Sequence, residues 1–474
     1  MTRKLFYIFA ALAVSAAVLL GCNPQDNGNE EEEVDDGTVV PLKASVPVTD
    51  NWIYEGRPSL TVKVENPNRR KAVTTTLRLR INTDKGESVA SVASEITFKP
   101  GIKEDVVLTT DKDLAPGFYK ATFSIAQKKG FFKGDDGKDK STYDMCFGVD
   151  PFQIASPPDT VKGFKAFWKA AKEQLAGIDM NPRLTPLAKP ISSESRTVYL
   201  VEMNSVPDGL GGEPVVVRGY YCEPTDGKPH RVIMHYFGYD DLNPTSKAYC
   251  PTGDYSSDAE FYLSTRGQVV NNRPASLREP DGHGDFVNTY DRWFMFGFGN
   301  KDEYYYRGAF MDCVQAVRFM STRPTSDMSR LYAEGSSQGG AFSYAAAALS
   351  DIPFSAIAPC VAFMGDFPDY FQIGVWPAEW AREYKDRMSD EEMYEFLSYF
   401  DTKNLATLIS CPVIACIGLQ DETCPPHTNL APFMNLKTPE ADKDLTFFPT
   451  TGHQIHPNWP GMWEEFFKKH PANQ

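Results

Sequence analysis

Between residues 40 and 150 apolar and polar positions alternate. Ser59-Leu60-Thr61-Val62-Lys63-Val64 and Thr76-Leu77-Arg78-Leu79-Arg80-Ile81 both repeat with period two, the mark of strands with one buried face. Further strands are predicted over 95–98, 105–109, 118–125 and 143–149. Turn formers stand between them, as in Asn66-Pro67-Asn68, Asp84-Lys85-Gly86, Pro100-Gly101 and Pro116-Gly117. Six or seven short strands in about 110 residues, with no helical pattern, predict an antiparallel sandwich of immunoglobulin type. Such a domain is a spacer or a partner-binding module. The charged stretch 130–140 reads as a hairpin tip.

The period then changes. After a linker at 154–158, Val161, Phe164, Phe167, Trp168, Ala171 and Leu175 recur at three and four, predicting a helix that starts at Asp159. Strands at 197–203 and 214–221 read as an antiparallel pair. Buried runs at 230–236, 259–264, 331–334, 356–362 and 412–418 follow, with helices at 307–321 and 341–349. This alternation predicts an α/β domain with a mostly parallel sheet.

The first residues are of another kind. Arg3 and Lys4 precede an apolar run over 5–20, and Leu19-Leu20-Gly21-Cys22 resembles a bacterial lipobox. The expected organisation is a lipoprotein signal peptide at 1–21, an acidic disordered tether at 22–39 beginning at lipidated Cys22, the sandwich at 40–153 and the α/β domain at 154–474. The expected location is the bacterial cell envelope, with a membrane reached through the lipid. The 48 basic residues face 63 acidic ones, a net charge of −15. Such a surface repels phosphate backbones, so no nucleic acid partner is expected. Eight cysteines follow Cys22. Their irregular spacing within apolar runs predicts buried free thiols. Cys411, Cys416, Cys424 and His427 fit no zinc module, so no metal is expected, and His427, after two prolines, is expected to be solvated.

The chemistry centres on Gly335-Ser336-Ser337-Gln338-Gly339-Gly340, with a predicted strand before it and an alanine-rich helix after it. Gly-x-Ser-x-Gly in that context lifts a serine hydroxyl from the sheet edge. Its place in the motif selects Ser337 over Ser336 as nucleophile. The flanking glycines let strand and helix pass closely. A serine nucleophile needs a base, and the base an orienting acid. His453, in Thr450-Thr451-Gly452-His453 after a strand at 445–448, is the expected base, with His456 as rival. Asp421, closing a strand ahead of Cys424-Pro425-Pro426, is the expected acid, with Glu422 as the weaker rival. The oxyanion donors are expected to be the backbone N–H groups of Gln338 and of Tyr239, in Phe237-Gly238-Tyr239-Asp240.

Taken in order, several blocks resemble the acetyl xylan esterase and cephalosporin C deacetylase group, carbohydrate esterase family 7, of the α/β-hydrolases. They are Phe164-Lys165-Ala166-Phe167-Trp168, Phe237-Gly238-Tyr239, Arg266-Gly267-Gln268, Tyr304-Tyr305-Tyr306-Arg307 with Asp312, the serine motif, Tyr399-Phe400-Asp401 with Asn404, and Gly418-Leu419-Gln420-Asp421. The resemblance covers about 150–470. It implies an α/β-hydrolase fold and removal of acetyl groups from acetylated xylan, xylooligosaccharides or related sugars through Ser337, Asp421 and His453. It implies no cofactor, structural roles for Arg266 and Gln268, and, from the family's ring-shaped hexamers, a homo-oligomer as a candidate state. Two positions depart from the pattern: Gln454 stands where the family has Glu, and Val269 where it has Gly. The aromatic stretch 363–384 falls at the lid of this fold, where its rings either stack on sugars or pack the lid itself. Two other classes stay open, a serine peptidase of the prolyl-oligopeptidase kind and a non-catalytic glycan-binding lipoprotein.

Overall fold

The computed structural model describes residues 39–126, 131–133, 137–239, 251, 257–268, 270, 292–374 and 376–472. The apolar leader, Cys22 and the tether up to residue 38 lie outside the described residues, as do Asp240, Cys250 and Val269. Among the described residues no helix is long and apolar enough to cross a membrane.

The alternating segment builds two five-stranded sheets. Its strands are β1 (Lys43–Ser45), β2 (Ile53–Tyr54), β3 (Ser59–Glu65), β4 (Val73–Thr83), β5 (Ser88–Phe98), β6 (Lys103–Thr109), β7 (Gly117–Ile125), β8 (Phe132–Lys133), β9 (Asp139–Lys140) and β10 (Thr142–Val149). One sheet runs β6-β3-β1-β8-β9 and the other β2-β10-β7-β4-β5. Leu60, Val62 and Val64 of β3 and Leu77, Leu79 and Ile81 of β4 point into one core with Trp52 and Phe147, as period two requires. The ladders missed in the sequence are β1, β2, β8 and β9, of two or three residues each, too short to show a period. The charged stretch forms the hairpin β8–β9.

The second part is a nine-stranded sheet flanked by helices. Its strands are β11 (Arg183–Pro186), β12 (Arg196–Ser205), β13 (Val215–Pro224), β14 (His230–Tyr236), β15 (Ala259–Ser264), β16 (Ser326–Ser336), β17 (Ala356–Cys360), β18 (Val413–Gly418) and β19 (Lys443–Phe448), in the order β11-β12-β13-β15-β14-β16-β17-β18-β19. The pairs from β11 to β15 are antiparallel and the rest parallel. The parallel strands are apolar on both faces. Val232 and Met234 pack with α1 (Phe164–Ala176), α2 (Tyr305–Ser321) and α3 (Gln338–Leu349), whereas Ile233, between them, packs with Trp459, Phe466 and Phe467 of α9 (Trp459–Lys469). Helices cover both sides, so the strands read as continuous apolar runs. The helix expected from Asp159 begins only at Phe164, because Gly163 adopts φ +77. Asp159 instead binds Asn404 and Lys403. Between β17 and β19 lie α4 (Phe367–Ile373), α5 (Ala378–Ala381), α6 (Asp390–Ser398), α7 (Thr402–Leu405) and α8 (Pro426–Met434).

The two parts share apolar contacts. Ile417, Leu419 and Leu430 belong to the cluster formed by the sandwich core. The Phe447 ring packs against Phe118 and Phe152, with centroids 6.2 and 6.1 Å away. Pro41–Gln474 is accordingly one compact unit.

Candidate active site

Ser337 sits between the end of β16 and the start of α3, at φ 58 and ψ −121. A side chain is costly in that region, so the surroundings must enforce it. Its N–H donates to the Cys360 carbonyl (2.9 Å), and its carbonyl accepts from Phe363 N (2.9 Å) and Ala341 N (3.2 Å). The glycines are needed because a Cβ on Gly339 would lie 2.2 Å from the Tyr236 oxygen, and one on Gly335 would lie 2.4 Å from the Gly339 oxygen.

The structure brings Ser337, His453 and Asp421 together. Ser337 Oγ is 3.0 Å from His453 Nε2, and His453 Nδ1 is 2.8 Å from Asp421 Oδ2. The Asp421 side chain is fully buried, and its Oδ1 accepts from Thr423 N (2.9 Å) and Cys424 N (2.8 Å). A carboxylate so held fixes the proton on Nδ1 and leaves Nε2 as acceptor towards the serine. The rivals are elsewhere. His456 stacks on Phe448 at 3.9 Å and accepts from Asn458 N, and Glu422 is exposed.

The Gln338 N–H opens α3, where the first N–H groups lack intrahelical acceptors. The Gln338 side chain is buried and accepts from the Tyr306 hydroxyl at 2.8 Å. The Phe237-Gly238-Tyr239 loop runs beside the serine: a Cβ on Gly238 would lie 3.7 Å from Ser337 Cβ. Gln268 holds this loop, donating to the carbonyls of Gly238 (2.8 Å) and Phe237 (3.4 Å). The Tyr239 ring packs on Trp293 and Trp376 at 4.7 and 5.3 Å. Arg266 is buried in a two-point pair with Asp312, at 3.0 and 2.7 Å, and also reaches Asp208 at 2.8 Å. Gly308 leaves it room, since a Cβ there would meet the guanidinium at 2.2 Å. Of the lid aromatics, Phe363, Phe367, Tyr370 and Phe371 are core. Trp376 and Trp380 are half-buried, with centroids 5.7 Å apart.

His427 is not solvated. It lies on α8, buried, with Nε2 2.8 Å from Asp369 Oδ2 and Nδ1 3.7 Å from Asp84 Oδ2. The two prolines before it do not open a loop, because Pro426 occupies the first turn of α8, where proline loses no hydrogen bond. Burial pushes its pKa down, but Asp369 and Asp84 outweigh that and hold it at about 9. Asp369 in turn is held well below its usual range by His427 and, against burial, by Lys85. Among the described residues, Asp366, Asp369 and His427 are the one cluster of metal-ligating groups close enough to share an ion. Lys403 already binds Asp366 (3.1 Å) and Lys85 binds Asp369, so the cluster is an ion-pair joint between the β4–β5 turn and the α/β part. A second buried network lies below the elbow. His235 bridges Glu334 (2.7 Å) and Glu260 (3.2 Å), and Glu260 binds Arg196 (2.7 Å). Here too burial lowers the imidazole pKa and the carboxylates outweigh it, at about 9.

The seven described cysteines are free thiols, five of them buried. Burial pushes Cys146 and Cys411 up to about 12.

A model of the acetyl xylan esterase family matches residues 155–470. Acetyl esterase Axe7A of Xylanibacter ruminicola is 28% identical over 368 residues, covering 77% of this chain and 76% of that protein. This alignment is longer than the family match and reaches back into the β-rich segment before residue 155. The acetyl xylan esterase from Paenibacillus sp. R4 is 25% identical, with a TM-score of 0.55 over 67% of this chain and 97% of its own. Acetyl xylan esterase 1 from Thermoanaerobacterium sp. JW/SL YS485 is 21% identical, with a TM-score of 0.56 over 67% and 96%. The chain shares with them an α/β-hydrolase-like esterase fold.

Proposed function

The chain belongs to the acetyl xylan esterase family and is a carboxylic-ester hydrolase of acetylated carbohydrate, and from that premise we propose that it deacetylates xylan or xylooligosaccharides with Ser337 as nucleophile, His453 as base and Asp421 as orienting acid. The observation that carries these roles is the continuous relay at 3.0 and 2.8 Å on a strand-to-helix turn. His453 Nε2 takes the Ser337 proton as Oγ attacks the acetyl carbonyl, while Asp421 stabilises the imidazolium. The N–H groups of Gln338 and Tyr239 hold the tetrahedral oxyanion. The protonated imidazole then gives its proton to the departing sugar oxygen, which leaves as a hydroxyl as the acyl C–O bond breaks. Water, activated by the same base, releases acetate from the acyl-serine. Trp376, Trp380 and Tyr384 are the half-buried lid rings left for a sugar face.

The β-rich segment is read as immunoglobulin-like, and Cys22 as a lipid anchor that keeps the enzyme at the cell envelope. The test is acetate release by the purified protein from acetylated xylooligosaccharides, with dipeptide amides as control. Cleavage of the amides without acetate release overturns the reading.

A further inference from the structure

We propose that the N-terminal sandwich is a working part of the active site, and that Gln420 is the positioning residue through which it acts on Asp421. The inference rests on the triad reading above.

Gln420 directly precedes the acid. Its Oε1 accepts from the Cys146 N–H at 2.8 Å, and its Nε2 donates to the Cys146 carbonyl at 2.9 Å and to the Pro449 carbonyl at 2.7 Å. Cys146 lies on β10, which is paired with β7 on one side. On the other side, among the described residues, β2 pairs with Gly148 and Val149 and not with Cys146. The edge of β10 is therefore open at Cys146, and the carboxamide fills it like one further peptide unit, satisfying two main-chain groups. Its remaining N–H fixes Pro449, in the segment that leads from β19 to His453. One side chain thus ties the strand end carrying the acid, and the loop carrying the base, to the sandwich.

The surroundings stiffen this tie. Gln420 N donates to the Thr451 carbonyl at 3.0 Å, and Leu419 N to Phe448 at 3.0 Å. Gly418 allows this approach, since a Cβ there would lie 2.6 Å from the Thr451 oxygen. Leu419 and Ile417 are buried in the sandwich cluster. One peptide bond separates the anchored Gln420 from Asp421, so slack at the anchor moves the carboxylate against the imidazole. The side chain must be an amide. A carboxylate would face the oxygens of Cys146 and Pro449, and an apolar group would strand the Cys146 N–H.

The test uses the full chain and a small acetate ester, 4-nitrophenyl acetate, so that sugar binding plays no part. Gln420→Ala and Gln420→Glu should lower kcat by about 10- to 100-fold, the scale of a misplacement near 1 Å, with little change in KM. The acid limb of the kcat/KM pH profile should move to lower pH, because the imidazolium loses Asp421. In an Asp421→Asn background the same substitutions should cost nothing more, since the step they support is already gone. A folded Gln420→Ala with wild-type kcat and pH profile, or an additive loss in the Asp421→Asn background, overturns the proposal and leaves Gln420 a docking contact. If Gln420→Ala does not fold, Gln420→Glu, which keeps the bond from Cys146 N–H, decides by the same comparison. An inactive wild type, or a fully active Ser337→Ala, would instead overturn the triad reading.

Discussion

Raising the pH should loosen the joint where the β4–β5 turn meets α8. His427 faces Asp369, Asp84 and, at 3.8 Å, Asp366, with 11% of its side chain exposed, so water screens little of the interaction. Lys85 and Lys403 face the same carboxylates and are present in both proteins compared below. The folded imidazole is held up at about 9, against an ordinary value of 6.5. A group raised on folding contributes fully below its unfolded pKa and loses its contribution as pH rises through its folded one. The full displacement is worth about 3 kcal/mol, of which about 2.5 remains at about pH 7 and less than ~0.5 at about pH 9. The assay is the urea-unfolding free energy of wild type and His427→Gln from about pH 6 to about pH 10. The gap between the two should be about 3 kcal/mol at the acid end and close at the alkaline end. His235 titrates in the same window, but it is present in both proteins and cancels. A gap that stays constant with pH, or widens as pH rises, would mean that the buried imidazole is neutral in the fold and that the ion-pair account is wrong.

Ser337→Ala should lower kcat by roughly 10³-fold or more, and adding His453→Ala should be little worse, because triad members act as a unit. Wild-type turnover in Ser337→Ala, with loss in Ser336→Ala, would move the nucleophile by one residue. Gly339→Ala should lower both melting temperature and activity, since its Cβ would lie 2.2 Å from the Tyr236 oxygen; a variant with wild-type melting and turnover refutes that close approach. Cys22→Ser should shift the protein from the membrane to the soluble fraction, and unchanged retention counts against lipidation there.

The features legible in the sequence are those whose cause is local. The strands His230–Tyr236 and Ala259–Ser264 read to the residue because runs buried on both faces end abruptly at turn formers. The serine motif read correctly as a strand-to-helix turn because glycine spacing is itself the steric requirement. The partners of Ser337 could be ordered along the chain from strand ends. His427 is not legible, because Pro425-Pro426 looks like a loop and nothing near it in sequence announces Asp84, in the β4–β5 turn of the sandwich. The sequence places the start of α1 early, because Val161 fits the helical period while Gly163 breaks it. Gln420 stands in a block that resembles the family, but its tie to the sandwich has no local cause: the Cys146 groups it binds are main-chain, which any residue supplies, and sit 274 positions away.

That separation also sets a schedule. A chain made at about 5–20 residues per second exposes Cys146 roughly 15–55 s before Gln420 exists to meet it. Through that interval the surface around Phe118 and the edge of β10 at Cys146 lack the groups that cover them in the folded protein. Ser337 emerges next, strained on its turn and without a base. Only when His453 has followed can the hydrogen-bonded relay from Ser337 through His453 to Asp421 close.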